Sequence, residues 1–266
     1  MSAGRESTGF VWLVGAGPGD PELMTLKARR LVESAEAIVH DALIPREVLA
    51  WARPEAELFD VGKRCGAHGA SQAEICALLV RLAAAGRRVV RLKGGDPSIF
   101  GRAGEELAAL RAAGLGCEVV PGVTAALAAA AVLQAPLTDR RSSPAVVLVT
   151  GHEAPEGGHA PIDWAAYAAL DATLCVYMGL RSLSRVAAGL VQGGRAGATP
   201  VAIVSAAGTA RQAVHLATLD TAGPLADALG VGAPALVIVG EVVRAAELAR
   251  TFGVEENALP RPLRAD

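Results

Sequence analysis

Short unbroken apolar runs alternate along the chain with longer stretches in which apolar residues return every three to four positions. These are the marks of buried strands and of amphipathic helices respectively. Residues 10–14 form the first run and stop at Gly15. The spacing of Leu23, Leu26 and Leu31 predicts a helix over 21–35, and strands follow at 37–40 and 56–61. The helix over 71–85 is the best marked. Ser71 and Glu74 form an S-x-x-E capping box, Ile75, Leu78, Leu79 and Leu82 make an apolar stripe, and Gly86 ends it. A strand at 88–92, a helix at 104–113 closed by Gly114, a strand at 118–120 and a helix at 123–134 complete this half. Strands separated by helices imply a parallel sheet with helical crossovers.

The pattern changes at PLTDRRSSP, residues 136–144, a polar, proline-bounded stretch that reads as a linker. Beyond it, strands are predicted at 145–150, 172–178, 201–205, 212–219 and 235–243, and the clearest helix lies at 182–191. With few helical separators, this half reads as a mixed, partly antiparallel sheet. The expectation is an α/β chain of two domains, 1–138 and 139–250, followed by a tail at 251–266.

Composition narrows the class. Of 266 residues, 52% are hydrophobic and only 3% aromatic, so the core is aliphatic and disorder is excluded. The net charge of −2 gives no broad field to attract nucleic acid. Cys65, Cys76, Cys117 and Cys175 contain no CxxC pair and read as reduced thiols; His68, His152 and His159 lack metal-ligand spacing, so no metal is expected. Residues 119–137 are uncharged and long enough to span a bilayer, but Pro121, Gly122, Thr124, Gln134 and Pro136 interrupt them. They read as a buried helix between proline breaks. The first twenty residues make a poor signal peptide. The expectation is a cytoplasmic protein with neither membrane nor nucleic-acid partner.

Candidate chemistry lies where strands end. Gly15-Ala16-Gly17-Pro18-Gly19-Asp20-Pro21 joins a strand to a helix, Lys93-Gly94-Gly95-Asp96-Pro97 follows another strand, and Pro121-Gly122-Val123-Thr124 follows a third. Open α/β sheets bind ligands at this edge. Asp41 stands 24 residues after Gly17, close to the offset of a ribose-binding carboxylate in dinucleotide folds. Asp20, however, occupies the place of the third glycine of G-x-G-x-x-G, and Pro18 removes a backbone donor. A nicotinamide oxidoreductase is therefore disfavoured. Three bare-backbone turns at one edge suit a ligand with polar edges and modest charge, such as an adenosyl group.

GAGPGDPELMTLKA, HDAL, GKRCG, RLKGGDPSIFGRAGEE, VPGVTAA, APLTDR, TGH, YMGL and APALVIVGEVV occur in this order. The set resembles the tetrapyrrole methylase family, in its uroporphyrinogen-III C-methyltransferase branch, over nearly the whole chain, and in the form without a dehydrogenase–chelatase module. The resemblance implies transfer of methyl groups from S-adenosylmethionine to ring carbons C-2 and C-7 of uroporphyrinogen III. The product is precorrin-2, formed by way of precorrin-1, for sirohaem or cobalamin synthesis. It also implies a homodimer and a cofactor held in the cleft between the two domains. Pro18, Gly94, Gly95, Asp96, Ile99, Thr124, Ala125, Met178 and Ala207 fall on the cofactor positions. Asp41 and Lys63 fall on the proton acceptor and donor.

For the polycarboxylate substrate, Arg64, Arg140 and Arg181 are candidate binders, and Arg102 is a candidate in binding and proton removal. The competing reading of Arg102 is an ion pair with Glu105 or Glu106. Asp139 stands where the family often has His, Ala103 replaces a glycine of GRGGEE, and Ser98 replaces the Phe of DPFIFG. A different precorrin methyltransferase, and a tetrapyrrole-binding subunit without turnover, are also compatible with these motifs.

Overall fold

The computed structural model describes residues 9–62, 70–152, 161–232 and 234–246. Two compact units emerge. One comprises Met1–Ala128 with Ala206–Gln212, the other Ala129–Ser205 with Ala213–Asp266.

The first unit carries β1 (Phe10–Gly15), α1 (Leu26–Ser34), β2 (Ala37–His40), α2 (Arg46–Leu49), β3 (Glu57–Asp60), α3 (Gln72–Ala84), β4 (Arg88–Lys93), α4 (Ala103–Ala112), β5 (Gly116–Val120) and the start of α5 (Ala125–Leu133). Its five strands are ordered β3-β2-β4-β1-β5, and every pairing is parallel. The alternation of side chains along each strand builds two cores. Val11, Leu13, Val39 and Val89 pack under α3 and α4; Val14, Ile38, Val90 and Leu92 pack under α1 and α2. The α3 capping box is present: the Glu74 N–H donates to Ser71 Oγ and the Ser71 N–H to Glu74 Oε2, at 3.3 and 2.6 Å.

The helix expected over 21–35 is broken. Pro21–Leu23 is a 3₁₀ turn capped by Asp20, and α1 starts only at Leu26, where the Thr25 hydroxyl accepts the Ala28 N–H. The expected buried helix over 123–134 is shorter and one-sided: Ala126, Ala129 and Leu133 are buried, whereas Leu127 is 56% exposed.

The second unit carries β6 (Ala145–Thr150), α6 (Trp164–Ala168), β7 (Ala172–Tyr177), α7 (Leu183–Gln192), β8 (Pro200–Ser205), β9 (Ala213–Thr218), α8 (Leu219–Leu229) and β10 (Ala235–Val239). The sheet order is β6-β7-β10-β8-β9, parallel only between β6 and β7. The expected mixed sheet is observed. Helix α8 was hidden from periodicity because Gly223 and Pro224 interrupt it. Gly223 has a packing reason: a β-carbon there would stand 2.2 Å from Ser184 Oγ on α7. The last expected strand stops at Val239, because Gly240 (φ 148°) turns the chain into a 3₁₀ segment.

Ser71→Ala is expected to destabilise the fold by about 1 kcal/mol through loss of the cap, read as a lower urea midpoint with an unchanged slope.

Candidate active site

Strands β4, β1 and β5 are neighbours, so their carboxyl ends bring the three glycine turns into contact. A β-carbon on Gly122 would stand 2.3 Å from the Gly95 carbonyl oxygen, and one on Gly15 2.6 Å from the same atom. Only glycine permits this approach. Gly17 (φ 72°) and Gly95 (φ 66°) exchange backbone hydrogen bonds, Gly17 N–H to Gly95 O at 3.2 Å and Gly95 N–H to Gly17 O at 2.7 Å. Asp96 ties the edge together: its Oδ2 accepts the Gly122 N–H at 2.9 Å, and its Oδ1 accepts the Ser98 N–H at 2.7 Å and the Ser98 hydroxyl. Burial opposes charge on Asp96, but the Ser98 hydroxyl and the Gly122 and Ser98 N–H groups outweigh it, so its pKa is held below the usual aspartate value.

The remaining expected cofactor positions in the first unit surround this meeting point. Thr124 Cα and Ala125 N would lie 3.8 and 4.0 Å from a Gly95 β-carbon, and the Ile99 N–H donates to Asp96 O at 3.2 Å. Gly94 is exposed, and a β-carbon there would meet only Leu43. The segment 206–212, which carries Ala207, packs on the first loop: a β-carbon on Gly208 would come within 3.1 Å of Pro18 Cγ, and one on Gly19 within 2.6 Å of Thr209 Cγ2. Met178 belongs to the second unit, where it sits in the turn that follows β7, 53% exposed and at φ 54°. Arg140 and Arg181 are also in the second unit, exposed and without an ion-pair partner among the described residues. Lys63 and Arg64 lie outside the described residues.

Beside the glycine turns sits a buried ionic cluster that the sequence reading missed. Arg91 and Lys93 occupy alternate positions of β4 and so point to the same face, beneath α3 and α4; they are 2% and 3% exposed. Glu106, on α4 and fully buried, accepts from Arg91 Nε at 3.0 Å, from Lys93 Nζ at 3.0 and 3.2 Å, and from Gln72 Nε2 at 3.2 Å. Arg91 Nη1 donates to Val39 O and Leu92 O at 3.4 and 3.3 Å, and its Nη2 donates to Asp41 Oδ1 at 2.6 Å. Asp41 is the outward member, its side chain 32% exposed. Burial, then the Arg91 charge, hold Lys93 below the usual lysine pKa despite the Glu106 and Asp41 charges.

Two sequence signals could have exposed this cluster. A strand in a parallel sheet carries charges at alternate positions, where apolar residues belong. Glu106 also sits three residues after Ala103 and four before Leu110, on the buried stripe of α4. Arg102 behaves as its competing reading foresaw. Its Nε and Nη2 make a bidentate pair with Glu105 at 2.7 and 2.8 Å. Asp139 is a turn residue that accepts from the Arg141 backbone N–H, Nε and Nη2, at 2.8, 3.2 and 3.1 Å.

The sequence profile of the Tetrapyrrole (Corrin/Porphyrin) Methylases matches residues 11–223. The S-adenosyl-L-methionine-dependent uroporphyrinogen III methyltransferase of Methanosarcina barkeri is 46% identical over 235 residues, 88% of this chain and 92% of that protein. Siroheme synthase 2 of Aeromonas hydrophila is 45% identical over 95% of this chain, which spans about half (53%) of that longer protein. Among solved structures, uroporphyrin-III C-methyl transferase from Thermus thermophilus complexed with S-adenyl homocysteine superposes with a TM-score of 0.75 at 43% identity, covering 88% and 93% of the two chains. The cobalt precorrin-4 methyltransferase CbiF superposes with a TM-score of 0.80 at 25% identity, covering 91% and 99%. A profile match across most of the chain, with a relative 46% identical over 92% of its own length, shows that the chain belongs to the tetrapyrrole methylase family.

Proposed function

We propose that the chain is an S-adenosylmethionine-dependent C-methyltransferase that converts uroporphyrinogen III to precorrin-2 by way of precorrin-1. The observation that carries this reading is the meeting of Gly15, Gly95 and Gly122 as bare backbone at one sheet edge, in a chain 46% identical to a uroporphyrinogen III methyltransferase. CbiF superposes slightly better, but its identity is only 25%, which favours uroporphyrinogen over a later precorrin as substrate.

The site fits an adenosyl ligand. Gly94 and Gly95 present bare backbone at the strand ends; a β-carbon at Gly94 would just touch Leu43, and one at Gly95 would just touch Thr124 and Ala125, at 3.8–4.0 Å. In this reading Pro18, Gly94, Gly95, Ile99, Thr124, Ala125, Met178 and Ala207 hold the cofactor, and Asp96 fixes the two turns it bridges. The Met178 thioether suits a sulfonium neighbour, because it is polarisable and neither protonates nor competes as a strong donor. When bound, S-adenosylmethionine supplies an electrophilic methyl group.

The acid–base work is assigned to Asp41 and Lys63. Methylating a pyrrole ring carbon leaves a cationic tetrapyrrole that must shed a proton, and Asp41 accepts it. This is supported by one oxygen pinned on Arg91 and a second oxygen without a partner among the described residues. Lys63 returns a proton. Arg102, Arg64, Arg140 and Arg181 meet the substrate carboxylates, each charge-assisted contact contributing about 1.5–3 kcal/mol. In Arg102's case, Glu105 must yield first. A cytoplasmic homodimer completes the reading.

Incubation with methyl-labelled S-adenosylmethionine and freshly reduced uroporphyrinogen III is expected to place two labels on each tetrapyrrole. No transfer, with NAD(P)H consumed on another substrate, overturns the reading; binding of both ligands without transfer favours a non-catalytic tetrapyrrole subunit. Asp41→Asn is expected to lose about 10²–10⁴-fold in turnover while binding S-adenosylhomocysteine as the parent chain does.

Gly122→Ala forces the turns apart and is expected to weaken S-adenosylhomocysteine binding about tenfold or more, as overpacking of about 1–3 kcal/mol implies; calorimetric titration reads it. The Asp96 carboxylate, with its pKa lowered in the fold, contributes stability that is fully present above about pH 4 and lost as pH falls through the folded value. The gap in melting temperature between the parent chain and Asp96→Asn is therefore expected to hold above about pH 4 and to close as the pH falls below it.

A further inference from the structure

Arg91 is fixed before it reaches Asp41. Its Nη1 is spent on the Val39 and Leu92 carbonyls, its Nε on Glu106, and only Nη2 is offered to Asp41 Oδ1. Glu106 in turn is held by Lys93 and by Gln72, so it cannot drift from Arg91 without leaving a second cation unpaired. Arg91 and Lys93 carry two positive charges, Glu106 and Asp41 two negative ones, so the cluster is neutral as built. Three of its members are shut off from solvent, with side chains 3%, 4% and 0% exposed, and only Asp41, at 32%, reaches outward. Among the described residues, the groups facing Asp41 are Arg91 and Lys93 from β4, Glu106 from α4 behind them, and His40, whose Nδ1 lies 3.1 Å from Asp41 O.

We propose that Glu106 is a positioning residue for Asp41. From inside the fold it sets the guanidinium of Arg91, and through it the orientation of the carboxylate that takes the proton. This rests on the methyltransferase reading of the site. Glu106 touches neither ligand; it acts by fixing Arg91 Nη2 on one oxygen of Asp41, leaving the other oxygen without a partner among the described residues.

Glu106→Gln keeps the shape and removes the charge. The expected result is a kcat for methyl transfer lower by about 10- to 100-fold, as a sub-ångström misplacement of a reacting group produces. S-adenosylmethionine KM and S-adenosylhomocysteine affinity stay as in the parent chain. Because Glu106 acts through Asp41, the double variant Glu106→Gln/Asp41→Asn is expected to be no slower than Asp41→Asn alone. An unchanged kcat, or losses that multiply in the double variant, overturn the proposal. Where Glu106→Gln does not fold, Glu106→Asp keeps the charge balance and shortens the reach; a lowered kcat is expected there too, and a parental kcat overturns the proposal.

If the parent chain itself transfers no methyl group to uroporphyrinogen III, it is the reading of the site that fails. The slowly exchanging Nε–H resonance of Arg91, assigned through Arg91→Lys, then decides the inference alone. Its protection is expected in the parent chain and lost in the Glu106 variant, and protection retained in that variant overturns the proposal.

Discussion

Two cations are buried on one face of the central strand of a parallel sheet, and the geometry of the first unit follows from where they find their counter-charges. Such a strand is ordinarily a run of Val, Ile and Leu. Strand β4 has Val89, Val90 and Leu92 in that role, but Arg91 and Lys93 intrude at its carboxyl end. Removing one partner from a buried ion pair costs about 3–5 kcal/mol. Helix α4 must therefore deliver Glu106, α3 must deliver Gln72, and β2 must lead directly into Asp41, each within hydrogen-bond reach. Four elements are locked together at one edge by a requirement that none of them could meet alone.

The opposite device operates one strand over. Where β4, β1 and β5 end, the contacts are made by removing side chains rather than by matching them. Gly15, Gly95 and Gly122 meet backbone to backbone, and Asp96 joins two of the turns by accepting N–H groups from each side. The edge thus presents fixed charge toward Asp41 and bare backbone toward Gly94. A partly exposed carboxylate and a cluster of bare-backbone turns end up side by side at the carboxyl edge of a single sheet.

The fold was readable because its signals are local. Ala37–His40 and Ala145–Thr150 were delimited to the residue, and the capping box of α3 forms as Ser71 and Glu74 announced. The misses have equally local causes. Asp20 and Thr25 each cap a separate turn and split what looked like one helix, and α8 tolerates Gly223 and Pro224 because Ser184 needs the space. The glycine turns were legible because each one directly follows an apolar strand run. The charge cluster was not, because Glu106, Arg91 and Lys93 lie far from Asp41 in sequence, and each alone looks like an ordinary surface charge. Only the coincidence of two periodicities, every second residue on β4 and every third to fourth on α4, places them together.

Backbone strain shows how tightly the cluster is closed. Phe100 (φ 50°) and Arg102 (φ 56°) adopt the left-handed region, where a side chain costs about 1–2 kcal/mol. Gly101 lies between them, and a β-carbon there would stand 2.6 Å from Pro97 O and 3.1 Å from Lys93 Cε. The turn is wound that tightly because it seals the stem of Lys93 from above while ending the loop of β4. It also sets where α4 begins. With Ala103 as the first helical residue, the position three residues later falls on the buried stripe, and that position is Glu106. Relaxing the turn by one residue would swing Glu106 off that stripe by about 100°, since a helix turns once in 3.6 residues, and would leave both cations unpaired. The strain at Phe100 and Arg102 and the burial of Glu106 are thus one constraint, met within the short segment that runs from Arg91 to Glu106.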